Sequence, residues 1–427
     1  MLGMEIDNRK PGFWEELSCG VCSLMIDASK LDGGLVGEAR KHKWTNFMLT
    51  ELINWDRASV EPEPKMEEHN LHLAPSDTGS LAAQNVLLAL RKSLMLRTSL
   101  HAIFPGFRHD DSEDELVPVA ILFSGGLDSM ILAALLDECL DPRYGIDLLN
   151  VSFDGQSAPD RISARAGVEE LRRIAPFRRW KLVEIDAELS NLTLELKHVM
   201  SLIKPANTYM DLNIGIALWL AARGNGWVNK GSSSRNDDNQ QSFMYNSKAR
   251  IVLVGSGADE QCAGYGRHRT KYRCGSWLGL HEEMKLDMQR IWKRNMGRDD
   301  RCIADNGREA RFPFLDEDVV RILLDIPLWE VANLDQPSGT GDKKILREVA
   351  RMLGLREAAI QPKRAIQFGS RIARESNRTN FGSNRAANQA SAGSQSINVL
   401  LTAAPEPHFP GQHVSGSELF SKIHSEQ

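Results

Sequence analysis

Two stretches of the sequence bring glycines, hydroxyls and carboxylates together in the order that phosphate chemistry needs. The first is ILFSGGLDSM, Ile121 to Met130. An apolar run ends at Ser124-Gly125-Gly126, and a helical pattern starts straight after. Two glycines let the backbone turn tightly and approach an anion closely. The first amides of the helix have no partners, and the helix dipole adds positive potential at that end. The hydroxyls of Ser124 and Ser129 can donate to phosphate oxygens. Asp128 repels a phosphate, so its use here is to hold a divalent cation that bridges to one. No Gly-Lys-Ser/Thr follows, so this is not a Walker loop. The bland alternative is a glycine turn with a serine cap, and the placement between strand and helix speaks against it.

The second stretch is VLVGSGADEQCAGYGRHR, Val252 to Arg269. Again an apolar run ends in glycines, Gly255 and Gly257, and acids follow, Asp259 and Glu260. If both runs are strands of one parallel sheet, the two loops lie on the same edge. Asp128 and Asp259 can then share magnesium, as phosphoryl chemistry often requires.

The elements around these loops support that placement. Val117–Phe123, Ile146–Phe153, Trp180–Ile185 and Ile251–Val254 are apolar throughout and of strand length. Met130–Leu140 and Ile162–Ile174 between them are helical in pattern. Such alternation predicts a parallel sheet covered on both faces, a doubly wound α/β domain with ligands at the carboxyl ends of the strands. Leu87, Leu90 and Leu94 recur at helical spacing just before it. Asn229–Gln241 reads as a polar loop, and the chain beyond Trp277 as wholly helical. Residues 1–80 read as a poorly structured segment and residues 374–427, rich in Asn, Ser, Ala and Gly, as a disordered tail. The domain proper is expected over residues 81–373.

The bulk numbers exclude several classes. The 427 residues carry a formal charge of −5, so a dedicated nucleic-acid binder is not expected. Basic clusters at Arg172, Arg173, Arg178 and Arg179 and at Arg267, His268, Arg269, Lys271 and Arg273 read as a solvated helix face and as an open question, respectively. No apolar run approaches the roughly 18 residues needed to span a bilayer, and no signal-peptide core opens the chain, which predicts a cytoplasmic protein without membrane partners. Six cysteines in this length make no disulfide framework, and the lone pair Cys19/Cys22 lacks the second pair a zinc ribbon needs.

The motifs resemble the synthetase half of the class B asparagine synthetase family. Met296 to Val320, MGRDDRCIADNGREARFPFLDEDVV, looks like that family's segment ending in Arg-x-Pro-Phe-Leu-Asp, and GDKKILREVA, Gly341 to Ala350, like its next helix. The likeness covers roughly Leu81 to Ala373. It implies an ATP-pyrophosphatase fold of the adenine nucleotide alpha hydrolase-like type with a helical C-terminal part. It also implies an enzyme, an ATP-dependent, AMP-forming ligase. ATP activates a carboxylate of an amino acid as an acyl-adenylate, ammonia or glutamine supplies nitrogen, and AMP and pyrophosphate leave. Asparagine formation from aspartate is the family's case. Carried over by residue, Ser124, Gly125, Gly126, Asp128 and Ser129 match the pyrophosphate loop, Leu122, Val151, Val254 and Gly255 match nucleotide contacts, and Asp128 and Asp259 match the magnesium acids. Asp160 and Arg165 fall in a stretch like the family's second-helix start. A non-catalytic ATP-binding protein and an ATP-pyrophosphatase acting on RNA are the alternative readings.

Three departures qualify the likeness. Ser18 to Asp27 looks like the opening of a glutaminase domain, but Cys19 is not N-terminal, and too few residues separate it from the synthetase region. Glutaminase activity is therefore not expected of this chain. In the substrate stretch, Thr208 to Gly224, Asp211 stands where the family has arginine and Asn213 where it has serine, so an acidic substrate would meet a like charge. Asp211, Asn213, Asp259 and Glu260 are the candidate substrate residues. Finally, Lys363 stands for the family's catalytic lysine with two extra residues in the spacing, and Arg364 is its substitute.

Overall fold

The structure, a computed structural model, describes residues 2–4, 13–15, 21–27, 36–42, 54–62, 79–99, 116–229, 242–381 and 396–397. The chain divides into a unit over Met1–Gln395 and another over Ser396–Gln427. Near the N-terminus, β1 (Leu2–Met4) pairs antiparallel with β2 (Phe13–Glu15), and β3 (Val21–Asp27) with β4 (Val36–His42). Strand pairs therefore lie within the stretch read as poorly structured. Cys22 lies on β3 across from Lys41, and Cys19 falls outside the described residues. Residues 57–59 dock further along the chain: the Ala58 amide donates to the Leu324 carbonyl at 3.1 Å, and Ser59 O accepts from the Leu328 amide.

Seven strands make the main sheet: β5 (Val119–Leu122), β6 (Ile146–Ser152), β7 (Trp180–Asp186), β8 (Asn225–Asn229), β9 (Ser242–Asn246), β10 (Ile251–Leu253) and β11 (Glu309–Arg311). Their order is β11-β10-β5-β6-β7-β8-β9. The four expected strands are present, adjacent and parallel, and β11 joins them in parallel beside β10. Three strands were not foreseen. β8 and β9 form an antiparallel pair on the β7 edge, where only a loop was expected. Residues 230–241 of that loop lie outside the described residues. β11 interrupts the expected all-helical C-terminal part. Its three residues, half-buried or exposed, carry no apolar run to announce a strand.

Helices cover the sheet. α1 (Leu81–Thr98) is capped by the Ser80 hydroxyl and buries Leu87, Leu90 and Leu94 as their spacing predicts. α2 (Leu127–Cys139) and α3 (Pro159–Ile174) follow β5 and β6. α4 (Tyr209–Arg223), α5 (Gly266–Ile291), α6 (Gly297–Ala304), α7 (Lys344–Met352) and α8 (Ile372–Phe381) complete the set used below. α8 carries ordered helix past residue 373. The chain winds from β5 to β6 and β7 on one side, then returns to β10 and β11 on the other. The reversal opens a crevice between the carboxyl ends of β5 and β10, where ligands of such sheets bind.

Candidate active site

Both glycine loops line that crevice. β10 pairs with β5 through Leu253 opposite Ile121, which sets Gly255 beside the start of the first loop. A methyl on Gly255 would come within 3.1 Å of the Asp128 Cβ, so the loops are in contact. Gly125 has φ +71°, and a Cβ there would lie 2.2 Å from the Ser163 carbonyl oxygen. Only glycine lets the loop lie on the first turns of α3. Gly126 caps α2 with no side-chain hydrogen bond, which leaves the helix amides for a ligand. The Ser129 hydroxyl donates to the Gly126 carbonyl at 3.0 Å, and Ser124 Oγ accepts from the Gly126 amide. Leu122, Ser124, Gly126 and Asp128 are half-buried along this edge, while Val151 and Val254 are buried at their strand ends.

The acids Asp128 and Asp259 meet at one atom. Lys343 Nζ lies 2.7 Å from both carboxylate oxygens of Asp128 and 2.5 Å from Asp259 Oδ1. Lys363 pairs with Asp259 Oδ2. The result is an alternating row, Asp128, Lys343, Asp259, Lys363. Lys343 was not singled out from the sequence. It takes a left-handed conformation, φ +53°, at the N-cap of α7, and its side chain is 2% exposed. A left-handed non-glycine residue costs roughly 1–3 kcal/mol, and a cation opposes the dipole at that helix end. The two acids offset both penalties. Gly264 packs over the pair, since a Cβ there would lie 2.0 Å from Asp259 Oδ1 and 2.4 Å from Lys343 Cε. Arg347 ties α7 to the next segment, through Asp342 at 2.5 Å and the carbonyls of Ala359 and Gln361. That tie fixes Lys343 and the approach to Lys363 together.

The structure separates Lys363 from Arg364. Lys363 enters the row, and burial lowers its pKa against the pull of Asp128 and Asp160. Arg364 turns to α3 and donates to the Ser163 hydroxyl at 2.9 Å. Asp160, in the first turn of α3, lies under Gly369: a Cβ on that glycine would be 2.0 Å from its carboxylate. Burial pushes Asp160 up to about 7, with Arg364 and then Lys363 opposing. Arg165 forms a two-pronged pair with Glu184 at 2.6 and 2.7 Å, and Arg161 beside it binds Asn150, so both brace β6 and β7.

The substrate stretch holds a buried charge network. Thr208 caps α4 by accepting from the Asp211 amide, and its hydroxyl meets Asp211 Oδ2 at 2.5 Å. Arg298 of α6 donates to Asp211 Oδ1 at 2.9 Å and to Asp299 Oδ1 at 2.9 Å. The Ser256 hydroxyl of the second loop donates to Asp299 Oδ2 at 3.1 Å. Position 211 thus carries a carboxylate paired with a guanidinium from α6. Asn213 is buried two residues on. Neither Arg298 nor Asp299 was foreseen; the only signal was the Arg-Asp-Asp run in a stretch whose helical period puts 298 and 299 on the buried face.

Some candidates do other work. Glu260 is committed to its own loop: it accepts from the Gly257 amide at 3.0 Å, from the Tyr265 hydroxyl at 2.5 Å and from Asn295 at 2.8 Å. A substrate contact is left no oxygen without a donor. The basic run 267–273 is largely consumed, with Arg267 and His268 on Asp287, Lys271 on Glu283 and Arg269 on the Leu334 and Gln336 carbonyls. In the other cluster Arg178 is not solvated; it is buried, pairs with Asp137 at 2.6 Å and caps the carboxyl end of α2 through the Leu140 carbonyl.

The donors suit magnesium. Mg²⁺ takes one or two carboxylates from protein and fills the rest with phosphate oxygens and water. Asp128 and Asp259 are two such carboxylates, whose oxygens here face Lys343 and Lys363, and Asp259 Oδ1 is buried with no hydrogen bond, only the charge of Lys343. Among the described residues no group of three His, Cys, Asp or Glu forms a self-sufficient metal site. No helix among the described residues is long and apolar enough to cross a membrane.

Comparison with known proteins agrees with the motif likeness. Residues 271–404 match the asparagine synthase family model. The chain is 44% identical over 304 residues to asparagine synthetase domain-containing protein 1 of Gallus gallus and 41% identical over 304 residues to that of Homo sapiens; each match covers 61% of this chain and 46% of the relative. An asparagine synthetase domain-containing protein of Saccharomyces cerevisiae is 33% identical over 340 residues, covering 76% of this chain and 59% of the relative. The chain spans about half the length of the curated relatives it matches.

Proposed function

We propose that this asparagine-synthase-like chain is an ATP-dependent, AMP-forming ligase that converts a carboxylic acid of an amino acid to its amide, with aspartate to asparagine the first case to test. The observation that carries this reading is Lys343 bridging Asp128 and Asp259 at the switch point of the sheet. The α2 amides and the Ser124 and Ser129 hydroxyls hold the phosphates of ATP. Asp128 and Asp259 would hold magnesium, which when bound would supply positive charge to neutralise the phosphates. Lys343 and Lys363 stand where negative charge grows as the carboxylate oxygen attacks the α-phosphorus and pyrophosphate leaves. Fixed cations of this kind stabilise such a transition state without reorganising. Ammonia, free or delivered, then displaces AMP from the acyl carbon. A cytoplasmic setting suits these substrates.

The RNA reading is weakened, because Arg267, His268 and Arg269 of the basic run pair with groups of the protein itself. The test is direct. The protein is incubated with ATP, magnesium, ammonium chloride and a panel of amino acids including aspartate, and AMP, pyrophosphate and new amides are measured. Stoichiometric AMP and amide with one acid supports the reading. ATP binding without AMP for every acid would leave a nucleotide-binding protein instead.

A further inference from the structure

The phosphate half of the site is balanced in charge, Asp128 and Asp259 facing Lys343 and Lys363. The half beside it centres on one buried guanidinium, with Lys293 and Arg294 lining the pocket next to Asp211. Asp211 and Asp299 share one guanidinium, that of Arg298, and all three are buried. The next cation along α6, Arg301, donates instead to the carbonyls of Leu202 and Lys204. A buried carboxylate depends on the donors and cations around it. Asp299 touches the crevice through one group only among the contacts described, the Ser256 hydroxyl. Ser256 is half-buried in the second loop, next to Gly255, which touches Asp128. A hydroxyl that donates to a carboxylate keeps its lone pairs for a second donor.

We propose that Ser256, backed by Asp299, docks the ammonium ion that supplies nitrogen, and that Asp299 takes its proton through the Ser256 hydroxyl. This rests on the amide-forming reading above. As ammonium gives one proton to Ser256 Oγ, the serine proton passes to Asp299 Oδ2. The ammonia so formed attacks the acyl carbon, the acyl C–O bond to AMP breaks with its electron pair on AMP, and the nitrogen sheds a second proton to solvent. Burial raises the pKa of Asp299, Arg298 and then the Ser256 hydroxyl lower it, and Glu260 raises it. Asp211 behind Arg298, together with Arg301 and Cys302, are the other ionisable groups around it.

The experiment separates the two half-reactions. ATP–pyrophosphate exchange, with the acid that supports it, reports adenylation, and amide release reports nitrogen transfer. Ser256→Ala and Asp299→Asn should raise KM for ammonium chloride about tenfold or more, beyond any loss the same variant shows in exchange. With hydroxylamine, neutral at pH 7, each variant should stay within about threefold of wild type. Ser256→Thr, which keeps the hydroxyl, should restore the wild-type KM, and it decides the case if Asp299→Asn fails to fold. Asp299→Asn should also remove the acidic limb of the pH–rate profile with ammonium. An unchanged ammonium KM in Ser256→Ala, or equal losses with hydroxylamine and ammonium, overturns the proposal. Absence of exchange in the wild type with every acid would refute the ligase reading itself and this inference with it.

Discussion

The Lys343 ammonium sits between the carboxylates of Asp128 and Asp259, within 2.7 Å of each, although the three residues come from three separate stretches of the chain. Two acids placed to share a cation hold an ammonium in common, and that fixes them on the same side of the sheet. Removing it leaves two facing acids. Lys343→Met should lower AMP formation by about 100-fold or more, and it should cost about 3 kcal/mol of stability, the scale for stripping one partner from a buried pair. Urea unfolding and AMP release measure the two effects. Wild-type activity in a folded Lys343→Met protein would show that the bridge is structural only.

Gly264 tests the same bridge without touching a charge. A Cβ there would overlap Asp259 Oδ1 and Lys343 Cε. Gly264→Ala should force the two apart and cut ATP-dependent AMP formation by about tenfold or more, while far-ultraviolet circular dichroism stays unchanged. A fully active variant would mean that the row is free to shift.

Lys363 and Arg364 are neighbours with different tasks. Lys363 is in the row, and Arg364 is hydrogen-bonded to Ser163 on α3. Lys363→Ala should lower kcat about 100-fold with little change in KM for ATP, since charge neutralised only in the transition state appears in kcat. Arg364→Ala should cost less than about tenfold. Steady-state AMP formation distinguishes them, and the reverse order would exchange their roles.

These assignments mark the limits of reading the sequence. The two loops were legible because strand, glycines, acid and helix follow one another locally, and four of the sheet strands were legible because they are apolar throughout. Lys343 was not, because its motif reads as an ordinary helix start and its partners lie over 80 residues away in the chain. β8 and β9 are five residues each, bounded by Asn and Ser and flanking a polar loop, with two or three consecutive apolar residues apiece, and β11 is three half-buried or exposed residues, so none of the three carries a buried-strand signal. Asp211 was legible as a departure but not as a paired charge, since Arg298 arrives from another helix.

Asp160 links the site to pH. Its carboxyl is pushed up to about 7 by burial under Gly369, so the folded protein binds that proton more tightly than the unfolded chain, whose aspartate titrates near 4. A raised carboxyl pKa contributes stability that is fully present below the unfolded value and is lost as pH rises through about 7. The cost of ionising it is then complete in mildly alkaline solution, on the order of a few kcal/mol. Asp160→Asn removes that cost and retains the shape. It should therefore raise the melting temperature relative to wild type at about pH 8, by several degrees, and the difference should shrink toward about pH 5. Arg364 and Lys363 attract the ionised form, so the gain will be smaller than burial alone would give. Thermal melts across this range in the absence of ATP decide it. A variant that is less stable than wild type at pH 8 would mean that the ionised carboxylate is held by those two cations more strongly than burial opposes it, and that its place is among the charges of the active row.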